Sequence, residues 1–256
     1  MPAAPVLLLF SFAVGDPTPA AVPAVDFYPW RANIARFAEA IEQLEARDQA
    51  LYEAGGPQEG SILLAGSSSV RIWMENGNVH RALAPIPVVA RGYGGARFSD
   101  FAWYADRLFA PHLTPGQPGA NVAAIALFVG NDISGKSTLQ PGDQTPAGAA
   151  AFVRHTIATA HAMDADVPVL LIGVTPTPAR FAGWPNIRRF NKEMARIAAD
   201  DPTVHYLDPA PTYLDDEGRP RAALFVADRL HQNEAGYKIW AKLIKQAASE
   251  MLGKEN

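Results

Sequence analysis

The chain has 256 residues, with 22 lysines and arginines against 26 aspartates and glutamates, a formal net charge of −4. At 48% hydrophobic and 19% charged residues it can bury a sizeable core. That excludes wholesale disorder, and the slight acidity offers no electrostatic footprint for nucleic acid or an anionic membrane. The absence of cysteine excludes disulfides, thiolate metal sites and cysteine nucleophiles, so covalent catalysis would need an oxygen or nitrogen nucleophile.

The N-terminal segment, residues 1–25, differs from the rest. Val6 to Val14 is an apolar run followed by a Pro/Ala-rich stretch. It is too short to span a bilayer but suits the apolar region of an export signal, although no lysine or arginine precedes it. Two expectations stand: an export signal, which would make the protein secreted or periplasmic, or an N-terminal arm on a cytoplasmic protein. No later segment is apolar enough to be an integral membrane span.

Beyond it the pattern alternates. Ile34, Phe37, Ala38, Ile41 and Leu44 recur at helical spacing between Trp30 and Tyr52, and Gly55-Gly56-Pro57 ends that helix. Short apolar runs follow at Ile62–Ala65, Pro87–Ala90, Val122–Val129, Val167–Ile172 and Val204–Leu207. Short, non-alternating apolar runs suit strands buried on both faces. Between them lie helical patterns. One opens at Thr145-Pro146 and reaches Met163, another covers Trp184–Ala199, and the last starts at the N-cap Asn233 and carries Tyr237, Trp240, Ile244, Ala247 and Met251 as its apolar stripe. The expected fold is α/β: a five-stranded parallel sheet with helices on both faces, in one domain over residues 26–256.

Ligands bind such sheets outside the carboxyl ends of the strands. Four polar or glycine-rich segments fall there: Ser67-Ser68-Ser69, Gly92-Tyr93-Gly94-Gly95, Gly130-Asn131-Asp132 and Asp228-Arg229-Leu230-His231. A serine hydroxyl needs a base to take its proton, and histidine held by a carboxylate is the usual one. Of the six histidines, only His231 has an aspartate three residues before it. An oxyanion needs donors, which the Ser68 N–H, the N–H of a loop glycine such as Gly95 and the Asn131 amide would supply. Taken singly, each segment reads as an ordinary turn or helix cap. Their order and their placement after strands carry the information.

The set resembles the SGNH, or GDSL-type, serine hydrolases, whose four blocks appear here in the same order. Ile62 to Ser69 is similar to the serine block, Val88 to Gly95 to the glycine block, Gly130-Asn131-Asp132 to the asparagine block and Asp228 to His231 to the final Asp-x-x-His block. The resemblance implies a flavodoxin-like three-layer α/β/α sandwich and ester hydrolysis without a cofactor or metal. It also implies Ser68, His231 and Asp228 as the catalytic triad, and Ser68, Gly95 and Asn131 as the oxyanion hole. Two positions depart from the family pattern: Ser67 stands where an aspartate is usual, and Ala90 where an asparagine is usual. Neither is a catalytic group.

Trp73 and Arg71 are weighed as pocket lining against packing, and Tyr93, Phe98 and Trp103 as cleft mouth against core. Thr175 to Arg180 is a candidate substrate loop after the fourth strand. His80, His112, His155, His161 and His205 show no metal-ligand spacing. The expected activity is hydrolysis of short-chain acyl or acetyl esters, with a small-molecule or carbohydrate ester as substrate. Three alternatives remain: acyl transfer by the same site, a non-catalytic binding module on this fold, and dinucleotide binding through Gly92 and Gly94. The last is weakened by Arg97 at the third glycine position of that fingerprint. The oligomeric state is not readable.

Overall fold

The computed structural model describes residues 21–253 apart from 77, 118 and 121. The first twenty residues of the expected arm or export signal lie outside it. In chain order the elements are α1 (Arg31–Ala35), α2 (Ala38–Glu53), β1 (Ser61–Gly66), α3 (Ser68–Glu75), α4 (Asn78–Leu83), β2 (Val88–Gly92), α5 (Phe98–Leu113), β3 (Val122–Phe128), α6 (Pro146–Met163), β4 (Val169–Ile172), α7 (Trp184–Asp200), β5 (Val204–Leu207), α8 (Ala210–Tyr213) and α9 (Glu234–Met251). Short 3-10 turns precede α1 and α7 and follow α8.

The strands form one five-stranded parallel sheet in the order β2-β1-β3-β4-β5. This is the flavodoxin-like order, and its switch point lies at β1, where the chain leaves to one side for β2 and to the other for β3. The apolar runs sit where their composition requires, with β1 and β2 buried along their whole length. Alternate residues feed two cores, as the two-residue period of a strand demands. Leu63, Ala65, Ile125 and Leu127 pack with α2, α5, α6 and α7, while Ile62, Leu64, Ala124 and Ala126 pack with α3, α4 and α9. The result is the expected three-layer sandwich. Among the described residues no helix is long and apolar enough to cross a membrane.

Two caps hold as expected: Thr145 accepts from the Gly148 N–H, and Asn233 from the Ala235 and Gly236 N–H groups. The helix expected over Trp30 to Tyr52 is split. A turn at Arg36-Phe37 separates α1 from α2 and buries Phe37 against the Tyr93 ring, 5.2 Å away between centroids. The second strand begins at Val88 and runs to Gly92, beyond the expected Pro87–Ala90. Helices α3, α4 and α5 have no counterpart in the sequence pattern.

One register fact positions the site. Gly66 pairs with Gly92 on one side and Phe128 on the other, so β1, β2 and β3 end level. The segments after all three therefore open on the same edge.

Candidate active site

At Gly66 the chain leaves β1 through a crowded corner, where a Cβ would come within 2.3 Å of the Phe128 carbonyl oxygen. Ser67 is extended (φ −86°, ψ −157°) and starts α3 as its N-cap, which makes Ser68 the first helical residue. The N–H groups of a first turn have no partner inside the helix and carry the positive end of its dipole. Ser68 thus combines a free-facing hydroxyl with backbone donors beside it. Tyr237, on α9, donates its hydroxyl to the Ser69 carbonyl at 2.8 Å and stacks on Trp73, fixing where α3 begins.

His231 reaches Ser68 from the other side of the cleft, its Nε2 2.9 Å from Ser68 Oγ. Its Nδ1 is 2.6 Å from Asp228 Oδ2. The Asp-x-x-His spacing has a local cause. Asp228 Oδ1 accepts from the Leu230 and His231 N–H groups at 2.8 and 2.9 Å, which turns the chain and leaves Oδ2 free for the imidazole. The turn also needs Arg229 at φ +59°. It is closed by the Val226 N–H donating to the His231 carbonyl and pinned by the Ala179 N–H donating to the Arg229 carbonyl. Burial works against the charge on Asp228, but the contacts from His231 and the two N–H groups outweigh it and hold the carboxyl below its usual range. A carboxylate that stays ionised can orient a neutral imidazole and balance an imidazolium.

Asn131, after β3, completes the cleft. Its Nδ2 donates to the Ala96 carbonyl at 2.9 Å, and its Oδ1 accepts from Arg180 at 2.7 Å. Ser67, Ser68, Asn131, Thr177, Arg180 and His231 are among the residues lining one pocket. Gly95 is not among them. It sits at φ +79° in the turn after β2, next to Ala96, whose carbonyl Asn131 holds.

The model of the GDSL-like lipase/acylhydrolase family matches residues 61–239. The chain belongs to this family. Its members are hydrolytic enzymes, and this GDSL-like chain is one of them. No curated protein sequence is a significant match. Solved structures resemble the fold at low identity. A Streptococcus pneumonia protein provisionally described as a platelet activating factor is 19% identical with a TM-score of 0.65, the match covering 88% of this chain and 100% of that one. A GDSL-like lipase from Bacteroides thetaiotaomicron is 16% identical with a TM-score of 0.61, covering 88% and 99%. A carbohydrate esterase family 3 protein from Talaromyces cellulolyticus is 14% identical with a TM-score of 0.53, covering 77% and 99%.

Other residues of the GDSL-like chain fall into place around the cleft. Trp73, Tyr93 and Phe98 are buried in the two cores, Trp103 is half exposed beside Phe27, and Arg71 pairs with Glu75. None of these lines the pocket: the packing readings hold for Trp73, Tyr93 and Phe98, while Trp103 stands at the surface and belongs to neither the cleft nor the core. The Thr175 to Arg180 loop does line it, through Thr175, Thr177 and Arg180. Ser67 is buried at the cleft wall, and Ala90 is buried inside β2. What sequence reasoning missed is the Arg180 contact to Asn131, for which the only signal was the position of that loop after β4.

Behind Asn131, Asp132 is almost fully buried. Its Oδ1 accepts from the Phe98 N–H at 2.9 Å, and its Oδ2 has no partner among the described residues. Burial pushes this carboxyl up to about 7 despite the Phe98 N–H, and the charge of Asp100 adds to the rise. Asp100 is itself pushed up to about 6, chiefly by burial. A carboxyl raised in the fold binds more protons folded than unfolded, so stability falls as pH rises through the interval and levels off above the folded value. Asp132→Asn keeps the acceptor for Phe98 and cannot ionise. It is expected to flatten the fall in melting temperature between pH 6 and 7.5, above the Asp100 interval. An unchanged slope in thermal melts across that range would count against the assignment.

Proposed function

We propose that the protein is a serine carboxylic ester hydrolase acting on short-chain acyl or acetyl esters, including acetyl groups carried on carbohydrates. The observation that carries this is the relay of Ser68 Oγ, His231 and Asp228 at 2.9 and 2.6 Å, set beside the Asn131 amide at the level edge of β1 and β3. Ser68 Oγ attacks the ester carbonyl and passes its proton to His231 Nε2 as the new C–O bond forms. Asp228 Oδ2 holds the Nδ1–H and stabilises the imidazolium. The oxyanion takes donors from the Ser68 N–H, the Gly95 N–H and Asn131 Nδ2. Collapse breaks the bond to the alcohol oxygen, which takes the proton from His231 and leaves. Water, activated by the same imidazole, then adds to the acyl-enzyme and releases the acid and Ser68. The chemistry calls on no cofactor, and residues 26–256 serve as one catalytic domain.

Two features support a small acyl group. The free volume in the cleft is about 30 Å³, room for about two waters at roughly 10–15 Å³ each. Phe128, Val174, Phe225 and Leu230 close it with apolar walls. Likeness in fold to a carbohydrate esterase supports the sugar-borne alcohol. The test is a series of p-nitrophenyl esters together with acetate release from acetylated xylan. Acetate is expected to turn over about 10-fold or more faster than octanoate, since a pocket of fixed size discriminates by roughly 1–3 kcal/mol per methylene. Equal or faster octanoate hydrolysis overturns the short-chain reading, and no acetate from xylan overturns the carbohydrate one.

A further inference from the structure

Asn131 is held by two partners of opposite kind. The Arg180 guanidinium donates through Nη2 to Asn131 Oδ1 at 2.7 Å and through Nη1 to the Gly130 carbonyl. Arginine has only donors, so the atom facing it must be the amide oxygen. The Ala96 carbonyl can only accept, so the atom facing it must be Nδ2. Together they fix which way the amide points and leave the second Nδ2–H for the cleft.

Arg180 is itself fixed from behind. Gly135, at φ +89°, lies so close that a Cβ there would meet Arg180 Cβ at 2.4 Å, and a Cβ at Gly183 would meet Gly135 Cα at 2.4 Å. The stem is thus gripped between the loop after β3 and the 3-10 turn that carries it. Among the described residues no carboxylate forms an ion pair with Arg180. Its hydrogen bonds go to two carbonyl oxygens of the Gly130-Asn131 segment, with Asp132 and Asp143 acting on its charge from further off.

We propose that Arg180 is a positioning residue for ester hydrolysis, which orients the Asn131 amide and, by drawing electron density toward Oδ1, strengthens the Nδ2–H that meets the oxyanion. Such a donor acts on the transition state, where the carbonyl oxygen gains charge, more than on bound substrate. The inference rests on the proposed role of Asn131 and is tested together with it.

The experiment is a double-mutant cycle with p-nitrophenyl acetate on Arg180→Ala, Asn131→Ala and the double variant, with thermal melts beside the kinetics. Asn131→Ala is expected to lower kcat by about 10²- to 10³-fold. Arg180→Ala is expected to lower kcat by about 10-fold with KM nearly unchanged, and the double variant to be no slower than Asn131→Ala alone. If the two losses multiply, Arg180 does not act through Asn131 and the proposal fails, while the oxyanion reading survives. If Asn131→Ala is as active as wild type, the oxyanion reading fails and takes this proposal with it. A rise in KM with kcat intact would make Arg180 a substrate contact and also overturn it. Should Arg180→Ala not fold, Arg180→Lys keeps stem and charge but loses the fork. The same cycle run with it is read by the same three criteria.

Discussion

Ser68→Ala is expected to lower turnover of p-nitrophenyl acetate by about 10⁶-fold, the scale on which removing a serine nucleophile disables a triad. What remains would be the roughly 10³- to 10⁴-fold acceleration over water that oxyanion donors and binding supply without the nucleophile. The expectation follows from geometry. His231 Nε2 has Ser68 Oγ at 2.9 Å, so the variant leaves the base with no proton to take. Ser68 is only half buried at the first position of α3, and its loss should change stability by about 0.5 kcal/mol or less. The measurement is initial rate and melting temperature of both proteins, with labelling by a fluorophosphonate probe. Equal rates, or labelling of the Ser68→Ala protein, would remove Ser68 from the nucleophile position.

The second large effect is on stability, at a cluster that does not line the cleft. Asp48 on α2 receives Arg91 Nε at 2.6 Å and the same guanidinium's Nη2, and His112 Nε2 of α5 lies 3.2 Å away. All three side chains are almost completely buried. Burial works against the charge on Asp48, yet His112 and Arg91 outweigh it and keep the carboxyl below its usual range. The sign is therefore opposite to that of Asp132. This contribution is present above the unfolded value and is lost as pH falls through the folded one. Asp48→Ala strands a buried guanidinium, which costs about 3–5 kcal/mol. At roughly 2–4 °C per kcal/mol for a chain of this size, the melting temperature should drop by about 6–20 °C. Adding Arg91→Met should recover part of the loss, because the penalty lies in the orphaned charge. A drop of only a degree or two for Asp48→Ala would refute this account.

How far the sequence anticipated all this depends on what each residue answers to. Strands β1, β2 and β4 were legible because both their faces are buried, which favours short apolar runs; β5 is only partly buried, carries His205 and was legible by its position after α7. Thr145 and Asn233 announced their helices through caps that need only local geometry. Helix α5 did not announce itself. It is buried on every side except the stripe Trp103, Asp106, Arg107 and Ala110, of which only Asp106 and Arg107 are polar, and Pro111 lies inside it, so the sequence shows little contrast between its faces. Helix α3 was hidden for the same reason that it matters: its opening serines read as a turn. In the site, Ser68, Asn131, Asp228 and His231 could be chosen because each segment follows a strand or precedes a helix, and the sheet gathers them. Gly95 was chosen on the same grounds; it lies in the turn after β2, one residue before the Ala96 whose carbonyl Asn131 holds. Arg180 could not be chosen, since its contact to Asn131 links residues 49 apart in sequence through a loop that has no periodicity.

The loop that carries Asp228 and His231 closes mostly on itself, with the Ala179 N–H on the Arg229 carbonyl as a tether from outside. The carboxylate, the two N–H groups it caps and the Val226-to-His231 hydrogen bond all lie within residues 226–231. Acid and base therefore travel as one piece. A swing of this loop would leave the 2.6 Å contact between them intact while stretching the 2.9 Å contact to Ser68 and the Ala179-to-Arg229 hydrogen bond that pins the turn. The imidazole would keep its tautomer while the hydroxyl lost its base. Breathing of the cleft would thus switch the nucleophile off and on without scrambling the relay, and a returning loop would find its protons already in the right places.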